Sequence, residues 1–315
     1  MTARLLSHNM QSTKEIGKSG PRISVVIGTL NQRDVLERVL ESFARQTAAA
    51  ADFEVIVVDS SSSDGTDALM KSFKTPYSLR YIRQENRGKS GARNRGVREA
   101  VSPLILLTDA DMVAEENLVA THLQGAAQFP DSTFEGLTYN LRSIALGEKD
   151  SSNRIPYITR KLRPFQKLDF YYFLTGKLSA PKAVLEKAGL FDEEFTGYGW
   201  EDLELGYRLK KMGIPLRYLP TAINFHFHPL DAQHAPEKKF SMGESAAYFH
   251  QKHPEKKLKY FLGAHPVPMA IYHFIAQQPA WEKWIKEKAE REGLWRWAYQ
   301  EYLYRKGFEE GLGHS

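Results

Sequence analysis

Two aspartates one residue apart, Asp109 and Asp111, follow the apolar run 104–107. Such a run is typical of a strand that is buried on both faces. Because residues i and i+2 of a strand point to the same side, the two carboxylates can share one face while Ala110 turns toward the core. Two carboxylates about 4 Å apart repel each other by roughly 4 kcal/mol at a surface-like dielectric constant, and a divalent cation relieves that repulsion. The pair therefore predicts a Mg²⁺ or Mn²⁺ site completed by water and substrate phosphates.

The elements that precede this pair help to decide between a metal site and the alternative, a solvated turn at a strand end. Apolar strand patterns alternate with helical spacing: strands are predicted at 23–27, 53–58, 79–83 and 104–107, and helices at 34–46, after Asp64, and at 90–100. This alternation predicts an α/β fold with a mostly parallel sheet and right-handed crossovers. In such sheets ligands bind outside the carboxyl ends of the strands, where Thr29, Asp59 and the aspartate pair fall. The metal site is therefore the favoured interpretation.

A basic stretch at 86–96 lies at the predicted start of the third helix. It combines glycines with Lys89, Arg93 and two further arginines. The free N–H groups and the dipole of a helix N-terminus favour anions, so Lys89 or Arg93 is expected to face a diphosphate. The alternative is a solvated basic face of the helix.

The segment 197–205 places two glycines and a tryptophan before adjacent acids. This pattern suggests a shaped pocket in which Trp200 stacks on a sugar ring. Asp202 or Glu201 would accept a proton there, because partial burial raises the pKa of a carboxyl group toward the working pH. The alternative is an ordinary helix start, since acidic residues are favourable in the first turn.

His226 and His228 lie at the end of the apolar run 223–227. Alternation along a strand puts both imidazoles on one face, and a neutral imidazole is a good ligand for transition metals. A pair of structural histidines is the alternative. Beside an aspartate pair that already needs a cation, His226 is the preferred further ligand, and His228 and Asp109 are additional candidates.

The composition restricts the class of protein. The chain has 315 residues, no cysteine and a formal net charge of +5, which excludes disulfides and thiolate chemistry and fits a reducing compartment. No Lys/Arg run indicates nucleic-acid binding, and no apolar run approaches the ~18 residues of a membrane-spanning helix. Residues 1–20 are polar and lack the apolar core of a signal peptide, which predicts a flexible tail and a cytoplasmic protein. The oligomeric state stays open.

The character of the chain changes after Pro229, which predicts a helical, aromatic and basic extension at 231–315 behind a domain at 21–230. Apolar residues with partly helical spacing occur in this extension: Trp281, Trp284, Ile285, Leu294, Trp295, Ala298, Tyr302 and Leu303. Packing against the rest of the protein is the favoured interpretation. Peripheral contact with the inner face of a membrane, through aromatic and cationic side chains, is the alternative.

Four motifs in order resemble glycosyltransferase family two, whose members have the GT-A nucleotide-sugar fold. They are the strand and Thr-x-Asn turn at 23–31, the segment 54–66, the Asn-x-Gly…Ala-Arg-Asn segment at 86–96 and the Asp-x-Asp at 109–111. The resemblance covers about 21–229. It implies nucleotide-sugar contacts from Thr29, Asn31, Asp59, Lys89, Arg93, Asp109, Ala110 and Asp111.

Trp200-Glu201-Asp202 is similar to the Trp-Glu-Asp acceptor motif of that family and of β-1,4-galactosyltransferases. This similarity implies that Asp202 is the general base and that Trp200 and Glu201 contact the acceptor. The resemblance also implies that Asp111 and His226 hold the metal.

The resemblance implies a GT-A-type, Rossmann-like fold and a Mn²⁺- or Mg²⁺-dependent, inverting sugar transfer. The donor would be a nucleoside-diphosphate sugar, with UDP the commonest nucleotide in the family, and the acceptor a hydroxyl of a glycan or lipid-linked molecule. Leu30 replaces a common aromatic residue and Ser60-Ser61 replaces the usual Asp/Asn-Gly pair, so the nucleoside stays open. A non-catalytic nucleotide-sugar binding module is the first alternative, against which the complete Trp-Glu-Asp motif argues. A sugar nucleotidyltransferase is the second, and it would need a Gly-rich loop where this chain has Gly28 alone.

Overall fold

The computed structural model of the protein describes residues 20–143, 145, 147–157, 161–227, 236–290 and 293–313. Its strands are β1 (Ile23–Thr29), β2 (Phe53–Asp59), β3 (Ser78–Arg83), β4 (Leu104–Asp109), β5 (Met112–Ala114), β6 (Thr133–Leu141), β7 (Arg154–Pro156), β8 (Lys167–Leu168), β9 (Leu178–Pro181) and β10 (Leu216–His226). Its α-helices are α1 (Arg33–Ala44), α2 (Thr66–Ser72), α3 (Gly88–Glu99), α4 (Leu118–Gln128), α5 (Lys182–Lys187), α6 (Glu201–Lys211), α7 (Pro236–Lys252), α8 (Lys256–Phe261), α9 (Pro266–Ala276), α10 (Pro279–Ala289) and α11 (Gly293–Gly313). The predicted tail, apart from Gly20, and His228 lie outside the described residues.

A mixed sheet forms the centre of the fold, with the described strands in the order β3-β2-β1-β4-β9-β6-β10-β5. The first four of them run parallel, as the alternation of strands and helices predicts. Their register brings the carboxyl ends together, because Thr29 pairs with Asp59 on one side of β1 and Gly28 pairs with Asp109 on the other. The predicted fold class, a sheet flanked by helices with a helical C-terminal region, is thus confirmed.

Alternation along β1 builds a hydrophobic core on each face of the sheet. Val25 and Ile27 pack with side chains of α1 and α4, whereas Val26 packs with side chains of α3 and α6. Gly96 of α3 lies so close to Val26 that a Cβ atom would overlap it. The missing side chain therefore allows α3 to lie directly on the sheet, with its first turn beside the carboxyl ends of the strands.

The sequence pattern does not predict the second half of the sheet. Strand β6 contains Thr, Gly and Asn residues instead of a continuous apolar run, and it pairs antiparallel with β9 and parallel with β10. Gly136 permits close approach of the Ala222 carbonyl group where the register of β10 shifts. Asn140 pairs with His226 at the end of the two strands. This half of the sheet therefore brings further polar residues to the carboxyl edge.

The C-terminal helices pack on α6. Phe249 of α7 and Phe308 of α11 are buried in a third hydrophobic cluster that includes residues of α6. The fully buried carboxylate of Glu204 on α6 lies 2.9 Å from His253 Nε2 and 3.0 Å from Lys252 Nζ.

Ile285, Tyr302 and Leu303 are buried, as packing against the rest of the protein requires. Trp281, Trp284 and Leu294 are exposed and take no part in this packing. The domain boundary predicted near residue 230 falls outside the described residues.

Across the described ranges, the structure has no helix with both the length and the apolar character that crossing a membrane requires.

Helices α7 and α11 cross at glycines, and a substitution there tests this packing. A Cβ atom on Gly243 would overlap the carbonyl oxygen of Tyr304 and lie 2.7 Å from the amide nitrogen of Phe308. We expect Gly243→Ala to push the helices apart and to lower the free energy of unfolding by about 1–3 kcal/mol, measured by urea denaturation. Gly293→Ala is the matched control, since no described atom lies within 4 Å of its Cβ position. Equal losses in both variants would contradict the close crossing.

Candidate active site

A cavity of about 670 Å³ opens at the carboxyl edge of the sheet. The following predicted site residues line it: Thr29, Lys89, Arg93, Asp109, Asp111, Asp202 and His226. They come from β1, α3, the end of β4 and the turn that follows it, α6 and the end of β10. A ligand in this cavity would therefore contact both halves of the sheet.

The Asp-x-Asp motif is arranged as its alternation predicts. Ala110 is fully buried in the hydrophobic core, while Asp109 and Asp111 line the cavity. Asp109 ends β4, and Asp111 lies in the turn before β5. The two carboxylates have different neighbours, since Asp109 binds Arg93 and Asp111 faces His226. The motif thus contributes one carboxylate to an ion-pair cluster and one to a candidate metal site.

The guanidinium group of Arg93 connects three acids around the cavity. Its Nη2 donates to Asp109 Oδ1 at 2.9 Å, and its Nη1 donates to Glu201 Oε1 at 3.0 Å and to Asp202 Oδ1 at 2.9 Å. The arginine side chain is only 5% exposed. Glu201 lies behind the arginine, whereas Asp202 reaches the cavity. These bonds join the end of β4 to the first turn of α6.

Burial and charge act in opposite directions on the pKa values of this cluster. Burial alone would lower the pKa of Arg93, but the three carboxylates raise it above its usual value. Burial alone would raise the pKa of Asp109, but Arg93 and Lys89 bring it below its usual value. Burial and the charge of Asp202 raise the pKa of Glu201. The cluster therefore keeps Arg93 and Asp109 charged and makes Glu201 easier to protonate than Asp109.

Lys89 is better placed than Arg93 for contact with a bound anion. Arg93 lines the cavity, but its guanidinium group is already bound to three protein carboxylates. That it faces a diphosphate stays a prediction. Lys89 lies one helical turn earlier and is exposed at the cavity wall. Its Nζ lies 5.7 Å from the centre of the Tyr198 ring, and the charge of Asp109 raises its pKa. A cation in this position adds to the anion preference of the start of α3.

Asp111 and His226 form the candidate metal site. Asp111 Oδ2 lies 3.5 Å from His226 Nε2, and His226 Nδ1 lies 2.9 Å from Asn140 Oδ1. When Nδ1 donates to an oxygen acceptor, Nε2 carries the lone pair, which is the usual arrangement of a metal-binding histidine. A carboxylate and an imidazole fit Mn²⁺ well. Among the described residues, no group of three or more His, Cys, Asp or Glu side chains is placed to hold a metal ion.

Asp59 and Asn31 organise a turn beside the cavity instead of lining it. Asp59 Oδ1 accepts hydrogen bonds from the backbone N–H and the hydroxyl group of Ser62, and Oδ2 accepts one from Tyr81 at 2.6 Å. Asn31, in the left-handed region at φ 53°, accepts from the N–H of Ser63. Both oxygens of Asp59 are thus engaged within the protein, and their effect is to hold the Ser-rich turn after β2.

Trp200 packs among the C-terminal helices instead of lining the cavity. Its indole N–H donates to the carbonyl oxygen of Met242 at 3.0 Å, and its ring packs edge-on against Phe249 and Phe261. Tyr198 is the aromatic side chain that the same loop contributes to the cavity wall. Trp200 is expected to stack on an acceptor sugar, but Tyr198 is the residue of this loop whose side chain borders the cavity.

Other residues of the cavity have no recognisable sequence signal. Lys177 and Glu135 form an ion pair of 2.7 Å, with side chains 3% and 0% exposed. Burial raises the pKa of Glu135 to about 8, although Lys177 acts against the shift. Thr175 donates its N–H and its hydroxyl group to Asp202 Oδ2 at 3.1 and 2.8 Å. Lys177 and Thr175 lie in a short 3₁₀ turn before β9, where hydrophobic periodicity carries no information.

Thr29 presents an unused hydrogen-bonding group at the end of β1. The residue is 4% exposed, and its Oγ1 has no hydrogen-bond partner within the described part of the chain. A buried hydroxyl group without a partner costs roughly 1–3 kcal/mol. A polar ligand in the cavity would satisfy it.

The sequence profile of Glycosyl transferase family 2 matches residues 24–180. Validoxylamine A glucosyltransferase of Streptomyces hygroscopicus subsp. jinggangensis (strain 5008) is 34% identical over 223 residues, covering 62% of this chain and 53% of that protein. The chain thus spans about half the length of this curated relative.

Two solved structures share the fold. Mannosyltransferase PcManGT from Pyrobaculum calidifontis, in complex with GDP-Man and Mn2+, has a TM-score of 0.61 at 19% identity and covers 93% of this chain and 87% of that chain. S. aureus TarS 1-349 in complex with UDP has a TM-score of 0.55 at 16% identity and covers 93% and 92%. These likenesses confirm the predicted GT-A-type fold.

Removal of Arg93 tests the ion-pair cluster. Arg93→Met leaves Asp109, Glu201 and Asp202 without their shared cation, so we expect the free energy of unfolding at pH 7 to fall by about 3–5 kcal/mol. The deficit should shrink as the pH falls toward 4. The reason is that unpaired buried carboxylates have raised pKa values in the folded state, and their penalty disappears once they are protonated. Urea denaturation at several pH values measures both effects.

Arg95→Met is the matched control for this prediction. Arg95 lies on the same helix, is 51% exposed and pairs with Glu99 at 2.9 Å. A surface pair of this kind contributes about 0–1 kcal/mol. A loss as large as that of Arg93→Met, or a deficit in Arg93→Met that does not change with pH, would contradict the cluster.

Proposed function

We propose that this chain, whose residues 24–180 match the profile of Glycosyl transferase family 2, transfers a hexosyl group from a nucleoside-diphosphate sugar to a hydroxyl group of a glycan or lipid-linked acceptor, with inversion. One observation carries the proposal: a single cavity contains a carboxylate–imidazole pair suited to a divalent ion and, from another element, the carboxylate of Asp202. The proposed reaction uses these two centres together, one for the leaving diphosphate and one for the attacking hydroxyl group.

UDP is the proposed nucleotide of the donor. TarS was solved with UDP and PcManGT with GDP-Man, so GDP is the competing nucleotide. We assign nucleoside-diphosphate contacts to Thr29, with its unpartnered hydroxyl group, and to the exposed ammonium group of Lys89. Asp59 and Asn31 contribute indirectly, because their bonds hold the turn that brings Ser60 to the cavity. The hexosyl group follows the name of the validoxylamine A relative.

Asp111 and His226 are the proposed ligands of Mn²⁺ or Mg²⁺. When bound, the ion would offset the negative charge of the donor diphosphate. Asn140 holds the imidazole ring of His226 in place, and Gln32 Nε2 lies 3.5 Å from Asp111 Oδ2. Asp109 is a weaker candidate as a ligand, because its Oδ1 atom is already bound to Arg93.

Asp202 is the proposed general base. The acceptor oxygen attacks the anomeric carbon, its proton passes to the carboxylate, and the bond from that carbon to the diphosphate oxygen breaks with the electron pair leaving on the diphosphate. Thr175 makes two hydrogen bonds to Oδ2 of Asp202, whereas Oδ1 accepts one from Arg93. Since a carboxylate oxygen has two lone-pair sites, Oδ1 retains one for the acceptor proton.

Calorimetric titration of UDP and GDP, with and without Mn²⁺, tests the donor site. We expect Mn²⁺-dependent binding of UDP that weakens tenfold or more in Asp111→Asn and His226→Gln, because each variant removes a ligand of the ion that neutralises the diphosphate. Asp67→Asn is the control, since this carboxylate is paired with Lys71 outside the cavity. Binding that is unaffected by Mn²⁺ and by both variants would contradict the metal site. Tighter binding of GDP than of UDP would make GDP the proposed nucleotide of the donor.

Substitution of Asp202 tests the chemical role. Asp202→Asn preserves the shape of the side chain and removes the base, so we expect turnover to fall by about 10²–10⁴-fold, with UDP affinity nearly unchanged. Glu201→Gln is the matched control, because Glu201 binds the same arginine and lies outside the cavity lining. Its turnover should stay within about tenfold of the wild type. If Asp202→Asn lowers UDP affinity by the same factor as turnover, Asp202 is not the base. If the wild type binds the nucleotide but shows no turnover with any acceptor, the protein is a binding module.

A further inference from the structure

Helix α9 exposes an apolar stripe to solvent. Val267, Ile271 and Phe274 follow the i, i+4, i+7 spacing of one helix face and are 62%, 57% and 57% exposed. The other side of the helix is occupied, since Met269 and Tyr272 are buried in the third hydrophobic cluster. A surface helix ordinarily presents charged and polar residues on its outer face, and this helix presents apolar ones.

Tryptophans of α10 extend the stripe into a continuous surface. The centre of the Phe274 ring lies 5.9 Å from that of Trp281, which lies 6.2 Å from that of Trp284. Trp281 and Trp284 are 49% and 41% exposed. We refer to these five side chains as the α9–α10 apolar face: Val267, Ile271, Phe274, Trp281 and Trp284.

Charges of both signs lie on and beside α10, with a small excess of positive ones. The described residues 266–290 and 293–300 contain four Lys or Arg and three Glu residues. Lys283 and Lys286, interleaved with the two tryptophans on α10, are exposed, as is Arg296 at the start of α11. Isolated apolar residues are normal on a protein surface, but a contiguous aromatic patch with exposed cations between and beside its tryptophans indicates an interaction site for a partner that is apolar and carries anionic groups.

We propose that the α9–α10 apolar face seats the protein on the surface of an anionic lipid bilayer. Aliphatic side chains of α9 enter the acyl boundary, the tryptophans lie among the headgroups, and the flanking cations contact lipid phosphates. A bilayer interface matches both halves of the observation, an apolar row one side chain deep and exposed cations beside the tryptophans. The proposed contact is peripheral, because it involves one face of α9 and the tryptophans of α10.

Flotation of the full chain with lipid vesicles tests this proposal. We expect the wild type to float with vesicles of phosphatidylcholine mixed with phosphatidylglycerol, and less with phosphatidylcholine alone. High salt should reduce the bound fraction, because it screens the contribution of the lysines. The double variant Ile271→Glu/Phe274→Glu should reduce the bound fraction by roughly tenfold or more, since it places two charges in the acyl boundary.

Val101→Glu is the matched control, because Val101 is 66% exposed and lies before β4, outside the C-terminal region. It should float like the wild type, and circular dichroism should show that all variants are folded. A folded wild type that stays with the lipid-free fraction would overturn the proposal. Equal flotation of wild type and double variant would overturn it too. Light scattering adds a third outcome: a wild-type dimer that Ile271→Glu/Phe274→Glu converts to a monomer, without flotation, would show that a second copy covers this face.

Discussion

One buried guanidinium group determines how the candidate site is assembled. Arg93 projects from α3 and binds one carboxylate at the end of β4 and two in the first turn of α6. Burying an unpaired ion costs several kcal/mol, so the meeting of these elements at the arginine stabilises the fold. Asp202 reaches the same cavity as the Asp111–His226 pair. Charge neutralisation at Arg93 is one of the constraints that place it there.

Local order explains which parts of the site could be predicted from the sequence. Thr29, Asp109 and Asp111 follow apolar strands, and the ends of parallel strands meet at one edge, so periodicity alone brings these residues together. The partners of Arg93 could not be predicted in the same way. Asp109 is 16 residues away along the chain and Asp202 is 109 residues away, and charge type alone does not select which acids pair. A helix start predicts that Arg93 faces a ligand, but this local pattern contains no signal for the buried acids that Arg93 binds.

Irregular backbone explains why the contacts of Lys177 and Thr175 could not be predicted from the sequence. Lys177 and Thr175 lie in a 3₁₀ turn, and their buried partners, Glu135 and Asp202, come from β6 and α6. No period of 2.0 or 3.6 residues marks such a turn, and a buried Lys–Glu pair looks in sequence like two surface charges. Trp200 shows the opposite case, since a residue type typical of sugar stacking is also typical of a hydrophobic core.

Residues beyond the family match complete the candidate site. The match to the family ends at residue 180, before Asp202 and His226. Trp200 has φ 74°, a left-handed conformation that costs a non-glycine residue roughly 1–3 kcal/mol and persists only where the surroundings enforce it. Helix α7 supplies those surroundings, because Ser241 accepts the N–H of Tyr198 at 2.9 Å and the Met242 carbonyl accepts the indole N–H of Trp200 at 3.0 Å. The start of α6, and with it Asp202, is therefore held from both sides: by Arg93 toward the sheet and by α7 toward the C-terminal region.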